Sequence, residues 1–241
     1  MNIHLIEGEA GCRFAVQEAC TAIVVDALRA SATAAMLLHH GATGVLCMRG
    51  VNEARKAREA NPGALLFGER DGLPPAGFDY GNSPLETHHA RGKSVVFTTT
   101  TGAQRLVDCW GAPSVFMGST VNASAVAEAA RGTGRDIVVI PAGLAGDPAF
   151  DALEDWAAAV VIARALCMDI AEGRARFDEL SERIDDEGIE TVFRAAPHAA
   201  NLTALGLDAD ITACARLDET HAVPMATRQE HGGVWLEGRR P

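Results

Sequence analysis

Short apolar runs rich in β-branched residues recur along most of this chain, each followed by a segment of helical length. That alternation restricts the folds open to it more than any other feature. Residues 22–25 predict a strand, 31–40 a helix and 44–48 a second strand. The rhythm continues with a charged helix over 52–60, a strand over 64–67, a short helix over 85–90 and a strand over 94–98. Helices over 103–110 and 122–130, with strands over 114–117 and 137–140, extend it. Strands separated by helices predict an α/β fold, a mainly parallel or mixed sheet with helices on both faces. Beyond Pro141 the pattern changes to a long helix over 152–170 and a charged one over 178–187, followed by weak strand signals at 211–214, 222–225 and 234–236. The chain is read as one unit over 1–241, and its tail has three open roles: completing the sheet, forming a small C-terminal lobe from about residue 175 and so giving two α/β lobes, or crossing to another subunit.

Charge narrows the function. The chain carries 32 acids against 21 bases, a net charge of −11, and no basic run, which argues against a nucleic-acid surface. An anionic substrate then requires that a metal ion, arginines or helix N-termini reverse the field locally, giving a positively biased hollow. The six cysteines form no C-x-x-C pair, and Cys47 and Cys167, each after apolar residues, read as reduced core thiols of a cytoplasmic protein. Neither a secretory signal nor a membrane span is expected: the start has no basic or long apolar stretch, and His39-His40-Gly41 and Thr43-Gly44 break the uncharged run 30–48.

Several turns carry groups suited to chemistry. Glu69 and Arg70 leave the predicted strand 64–67 at its carboxyl end, where open α/β sheets bind ligands, and suggest a bound metal and a bound anion. Asp26 leaves the strand 22–25 and precedes Arg29 and Ser31. A carboxylate can ligate a hard cation, a guanidinium can fork onto phosphate or sulfonate, and amides near Ser31 can complete the cradle; equally, Asp26 or Ser31 can simply cap the helix. Thr98-Thr99-Thr100-Thr101-Gly102 offers hydroxyls and amides for an oxyanion, or plain strand and capping residues. Glu154-Asp155 opens the long helix, where acids complement the dipole, with metal binding as the second reading. His198 and His221 are isolated, and neither is selected as a base. A haloacid-dehalogenase mechanism is disfavoured because Leu28 stands where a second acid is needed, and the chain has neither a phosphate-binding P-loop nor a dinucleotide fingerprint.

These turns, in order, resemble the ComB family of 2-phosphosulfolactate phosphatases. The matching blocks are Asp26-x-Leu28-Arg29-Ala30-Ser31-x-Thr33, Gly68-Glu69-Arg70-x-Gly72, Gly77-Phe78-Asp79-x-Gly81-Asn82-Ser83-Pro84-x-Glu86 and Thr98-Thr99-Thr100-x-Gly102. The likeness continues through Asn122-Ala123-Ser124, Ala142-Gly143, Glu154-Asp155, Asp210-Ile211 and Val223-Pro224. It implies a Mg2+-dependent enzyme that hydrolyses 2-phospho-3-sulfolactate to 3-sulfolactate and phosphate, a step toward coenzyme M, and a homo-oligomer, taken as a dimer. Under it, Asp26 and Glu69 are the catalytic and metal-binding acids. Arg29 and Arg70 neutralise the substrate, with Ser31, Asn82, Ser83, Thr99, Thr100 and Gly102 lining its site; Glu86, Glu154 and Asp155 are second-tier acids. Thr101 and Ala103 stand where the family pattern often has Asn and Thr, and residues 146–150 read as an insert. Two alternatives stay open: a phosphatase for another small phosphorylated carboxylate or sulfonate, and a non-catalytic binding protein for small organic anions.

Overall fold

The computed structural model describes residues 1–147 and 149–238; Pro148, inside the stretch read as an insert, lies outside the described residues. Strand β1 (Asn2–Leu5) and helix α1 (Gly8–Gln17) come first, elements that the sequence reading did not assign. Then follow β2 (Thr21–Val25), α2 (Ala30–His39), β3 (Gly44–Cys47), α3 (Val51–Ala60), β4 (Leu65–Gly68), a 3-10 helix over Pro84–Ala90, β5 (Ser94–Thr98), α4 (Gly102–Asp108), β6 (Ser114–Met117), α5 (Ala123–Arg131) and β7 (Ile137–Pro141), close to the predicted bounds. The remainder is α6 (Leu153–Leu166), β8 (Asp169–Glu172), α7 (Arg174–Glu187), α8 (Ile189–Arg194), α9 (Pro197–Ala204), α10 (Asp208–Ala215), β9 (Pro224–Glu230) and β10 (Gly233–Gly238).

Three expectations are corrected. The helix predicted over 152–170 ends at Leu166, because Cys167 turns into the left-handed region (φ 50°) and the chain enters β8, an edge strand paired with β1. Cys167 is therefore exposed rather than a core thiol. The weak strand signal at 211–214 lies in α10, where Ala209, Ala213 and Ala215 favour the helix and Asp208 and Asp210 sit in its positive first turn.

All ten strands form one mixed sheet in the order β4-β5-β3-β10-β9-β6-β2-β7-β1-β8. The C-terminal hairpin β9–β10 completes it from the middle, pairing antiparallel with β6 on one side and β3 on the other. On either side of the hairpin the strands are parallel among themselves. Three successive antiparallel pairings then leave β4-β5-β3 running opposite to β6-β2-β7-β1-β8. In a flat sheet the carboxyl ends of the two halves would face away from each other.

Twist and a shared helical layer bring them together. Alternate residues of β2 and β7 divide between two cores: Ile23, Val25, Ile137 and Val139 belong to the core that also holds buried residues of α5, α6, α8 and α9, and Val24, Val138 and Ile140 join the opposite one. That second core also takes Val45, Phe67, Val95 and Phe97 from the other half, with Ala30, Ala34 and Leu37 of α2 and Leu106 of α4 in the same cluster. Twist of roughly 20–25° per strand pair accumulates over the steps between β2 and β5. Helices α2 and α4, each starting just after a strand end of a different half, are thus packed side by side.

Gly68 closes β4 at φ +152°, and a Cβ there would overlap the backbone carbonyl oxygen of Thr98 on β5. Gly68→Ala is expected to lower the unfolding free energy by about 2–3 kcal/mol, read by urea titration; a loss within error of zero would show that the β4–β5 end yields without cost.

Candidate active site

Asp26 leaves β2 into the short turn that leads to α2. Its Oδ1 accepts from the Ala30 N–H at 3.1 Å, so the capping reading holds for one oxygen. The Ser31 hydroxyl turns back to the strand: it donates to the Val24 carbonyl at 3.3 Å and accepts from the Asp26 N–H at 2.9 Å, tying the turn to β2. Gly102, the first residue of α4, fits because it has no side chain. A Cβ there would lie 2.5 Å from Asp26 Oδ2 and 2.9 Å from the Ala30 Cβ.

The end of β4 converges on the same place. Glu69 is buried and accepts three bonds, from Gly72 N–H at 3.0 Å, Thr100 N–H at 2.7 Å and the Thr100 hydroxyl at 3.3 Å. This carboxylate therefore ties the loop after β4 to the loop after β5. Thr99 caps α4 by accepting from Ala103 N–H at 3.0 Å, and Thr101 accepts from Ala145 N–H at 3.2 Å, holding the loop after β7. Arg70, expected beside Arg29, turns elsewhere and donates to the carbonyls of Glu69 and Arg49 and to the Thr98 hydroxyl.

The polar loop before the 3-10 helix divides in role. Asn82 is buried with Oδ1 unpartnered, while its carbonyl accepts from the Thr33 hydroxyl at 3.2 Å. Ser83 donates to Asp210 Oδ1 at 2.6 Å, and Glu86 accepts from Gly81 N–H at 3.3 Å within the loop. Asp210 in turn binds Arg29 at 2.5 Å, and Arg29 also donates to the Gly72 carbonyl at 2.7 Å, both ionic side chains being fully buried. The sequence marks Asp210 only as part of the family likeness; its role depends on a contact 181 positions away in sequence.

At the start of α6, Asp155 accepts from Ala27 N–H at 2.7 Å and Gly143 N–H at 3.1 Å, locking β2 to β7. Glu154, 2% exposed, accepts from His198 Nδ1 at 3.2 Å and leaves Oε2 without a partner. His198, passed over in the sequence, enters from α9. No local pattern marks it, because its partner lies 44 residues away on another helix.

These groups enclose a cavity of about 430 Å³ lined by Asp26, Arg29, Glu69, Asn82, Thr100, Thr101, Glu154, Asp155 and His198, with Leu28, Leu144, Phe150, Leu202 and Leu205 as apolar wall. Asp26, Glu69, Arg29 and Asn82, drawn from three separate turns, thus meet. Arg70, Ser31, Ser83, Thr99, Gly102 and Glu86 do not line it; they hold the residues that do. The expected positive bias is absent from the side chains: Asp26, Glu69, Asp71, Glu154 and Asp155 face Arg29, already paired, and His198. Burial raises the Asp26 pKa, and the charges of Glu69 and Glu154 add to it against His198 and the Ala30 N–H. Asp155 is pushed well above the usual carboxylate range by burial, then by Glu154 and Asp26. For His198 burial acts downward, but the bond and charge of Glu154, with Asp26 and Glu69, outweigh it and raise the pKa.

Removing Asp210 would strand the buried Arg29 guanidinium. Asp210→Ala is expected to cost about 3–5 kcal/mol of stability, measured by chemical denaturation; a loss below about 1 kcal/mol would mean that the pair contributes no more than a surface one.

Comparison with known proteins gives a consistent result. The family model described as 2-phosphosulpholactate phosphatase matches residues 11–229. A protein of Thermotoga petrophila named "Probable 2-phosphosulfolactate phosphatase" is 34% identical over 210 residues, 86% of this chain and 89% of the relative. One of the same name from Carboxydothermus hydrogenoformans is 34% identical over 222 residues, 90% of each chain, and one from Deinococcus radiodurans is 37% identical over 214 residues, 84% of this chain and 86% of the relative. The turns that meet around the acidic cavity all lie inside the matched span, and the chain belongs to the 2-phosphosulfolactate phosphatase family.

Proposed function

We propose that the protein is a Mg2+-dependent phosphoric monoester hydrolase that converts 2-phospho-3-sulfolactate to 3-sulfolactate and phosphate, the type of step that leads toward coenzyme M. The observation that carries this reading is the buried Asp26–Glu69 pair on a cavity whose arginine is already neutralised, in a chain of this family. A dianionic phosphate cannot enter such a cavity without a compensating cation. The apolar wall suits a substrate only a few carbons long. We further propose a cytoplasmic enzyme with a homodimer as its working form; among the described residues no helix is long and apolar enough to cross a membrane.

The donor set fits Mg2+. Among the described residues no three His, Cys, Asp or Glu form a ready cage, but Mg2+ characteristically takes one or two carboxylates and completes its shell with water and substrate oxygens. Asp26 and Glu69 would hold it, directly or through water, with the unpartnered Asn82 Oδ1 as a neutral oxygen donor. When bound, the cation supplies charge compensation for the phosphoryl group and polarises it. The chain's own groups do the rest. Arg29, held by Asp210 and the Gly72 carbonyl, lines the cavity as a hydrogen-bond donor for the substrate's anionic end rather than as a free charge, and the Thr101 backbone just before α4 orients it. Leu28, Leu144 and Phe150 exclude bulk water from the reacting centre.

Thr101 favours keeping a second reading, in which the same chemistry serves another small phosphorylated carboxylate or sulfonate, because its hydroxyl is engaged with Ala145 on the cavity wall. Turnover compared on phosphosulfolactate, phospholactate and phosphoglycerate decides between them. Binding of sulfolactate without phosphate release in saturating Mg2+ would instead establish a non-catalytic anion binder.

Asp26→Asn and Glu69→Gln are each expected to reduce Mg2+-dependent turnover by at least about 100-fold with an unchanged circular dichroism spectrum; near-normal activity in either removes that residue from the site. A linked pH effect follows from the raised Asp26 and Asp155 pKa values. An acid whose folded pKa lies above its unfolded value stabilises the fold fully below the unfolded value, about 3.9, and loses that contribution as pH rises through the folded one. Protons and Mg2+ compete for Asp26, so the rise in melting temperature on adding Mg2+ should grow from about pH 5 to about pH 7.5. An increment independent of pH would separate the cation from these acids.

A further inference from the structure

We propose that His198 is the general acid of the reaction, giving its proton to the alcohol oxygen that departs from phosphorus, and that Glu154 positions it. The assignment rests on the phosphatase reading above and extends it to a residue outside the metal-binding acids.

The geometry has three parts. His198 comes from the first turn of α9 and lines the cavity together with Asp26 and Glu69. Its Nδ1 lies 3.2 Å from Glu154 Oε1, which fixes the ring and places one N–H on the carboxylate. Nε2 has no protein partner among the described residues and is the nitrogen left for substrate. The pair is also asymmetric in exposure: the Glu154 side chain is 2% exposed and that of His198 38%. A buried, immobile carboxylate thus orients an accessible imidazole, the arrangement of an acid–base residue with its orienting partner.

The reaction requires such a group. An aliphatic alkoxide is a poor leaving group unless it is protonated as the P–O bond breaks. Arg29 cannot release a proton at ordinary pH, and Asp155 is held by two backbone N–H groups. Asp26 retains a proton more readily than an ordinary carboxyl, but a cation beside it would displace that proton. The groups facing His198 are Glu154 on α6, Asp26 after β2 and Glu69 after β4, all acidic, and together they favour the imidazolium against burial; Asp71, Asp155 and Arg29 line the same cavity. The step balances without a further reactant. Water oxygen forms the new bond to phosphorus, the ester P–O bond breaks with its electron pair on the alcohol oxygen, and that oxygen takes the Nε2 proton. The proton released by the attacking water returns through solvent to His198.

The test compares two leaving groups at saturating Mg2+. In His198→Asn, kcat on 2-phosphosulfolactate is expected to fall roughly 10²–10³-fold, whereas on p-nitrophenyl phosphate, whose phenolate leaves without protonation, the loss stays below about tenfold. The alkaline limb of the wild-type kcat profile should disappear in the variant. Glu154→Gln keeps a hydrogen-bond acceptor but removes the charge that raises the His198 pKa, so its alkaline limb should move to lower pH. Equal losses on both substrates, no loss on either, or an unmoved limb in Glu154→Gln would overturn the proposal. Wild-type protein inactive on every phosphate ester would instead refute the phosphatase reading itself.

Discussion

The close approach of Gly102 to Asp26 is the contact on which the arrangement of the site depends. Asp26 ends a strand of one half of the sheet and Gly102 follows a strand of the other, and the halves run in opposite directions. Because glycine carries no side chain, the first turn of α4 can lie against the carboxylate that opens α2. One methyl group would push the two loops apart and separate Asp26 from Thr100 and Glu69.

Around that contact, backbone amides do most of the fixing. Glu69 gathers Gly72 and Thr100, Asp155 gathers Ala27 and Gly143, and Asp26 takes Ala30. Glu69 and Asp155 each join two loops that follow strand ends and Asp26 is tied to the start of α2, so the carboxylates are held in place before any ligand arrives. Concentrating buried acids in this way is costly, since like charges taken out of water raise one another's proton affinity. A bound cation would relieve that cost, and this is the physical link between the fold's internal wiring and the metal-dependent phosphoryl chemistry proposed for it.

The Arg29–Asp210–Ser83 chain serves a different purpose. It anchors α10 and the polar loop at 82–83 to the turn after β2, so the helical cover over the cavity is tied by buried polar bonds rather than by apolar packing alone. Helix α9, which carries His198 and Leu202, is held between that anchor and α6.

Much of the strand and helix pattern up to β7 was legible because short apolar runs rich in β-branched residues and the helical segments between them are local signals. The acids and glycines of the turns after β2, β4 and β5 were legible as candidates for the same reason. The sequence could not distinguish which of them face the cavity. Ser31, Arg70, Ser83, Thr99 and Glu86 have the right chemistry and the wrong direction, since their side chains satisfy neighbouring backbone or ionic partners. Nor could it foresee His198 and Asp210, whose partners are Glu154 and Arg29, far along the chain. By itself, then, the sequence determined the α/β class, the turns bearing acids at strand ends and the family likeness, all of which are encoded over a few neighbouring residues. Only the tertiary structure decided the opposed halves, the hairpin between them, the acidic character of the cavity and its histidine, because these follow from twist and packing that join residues too distant to signal one another.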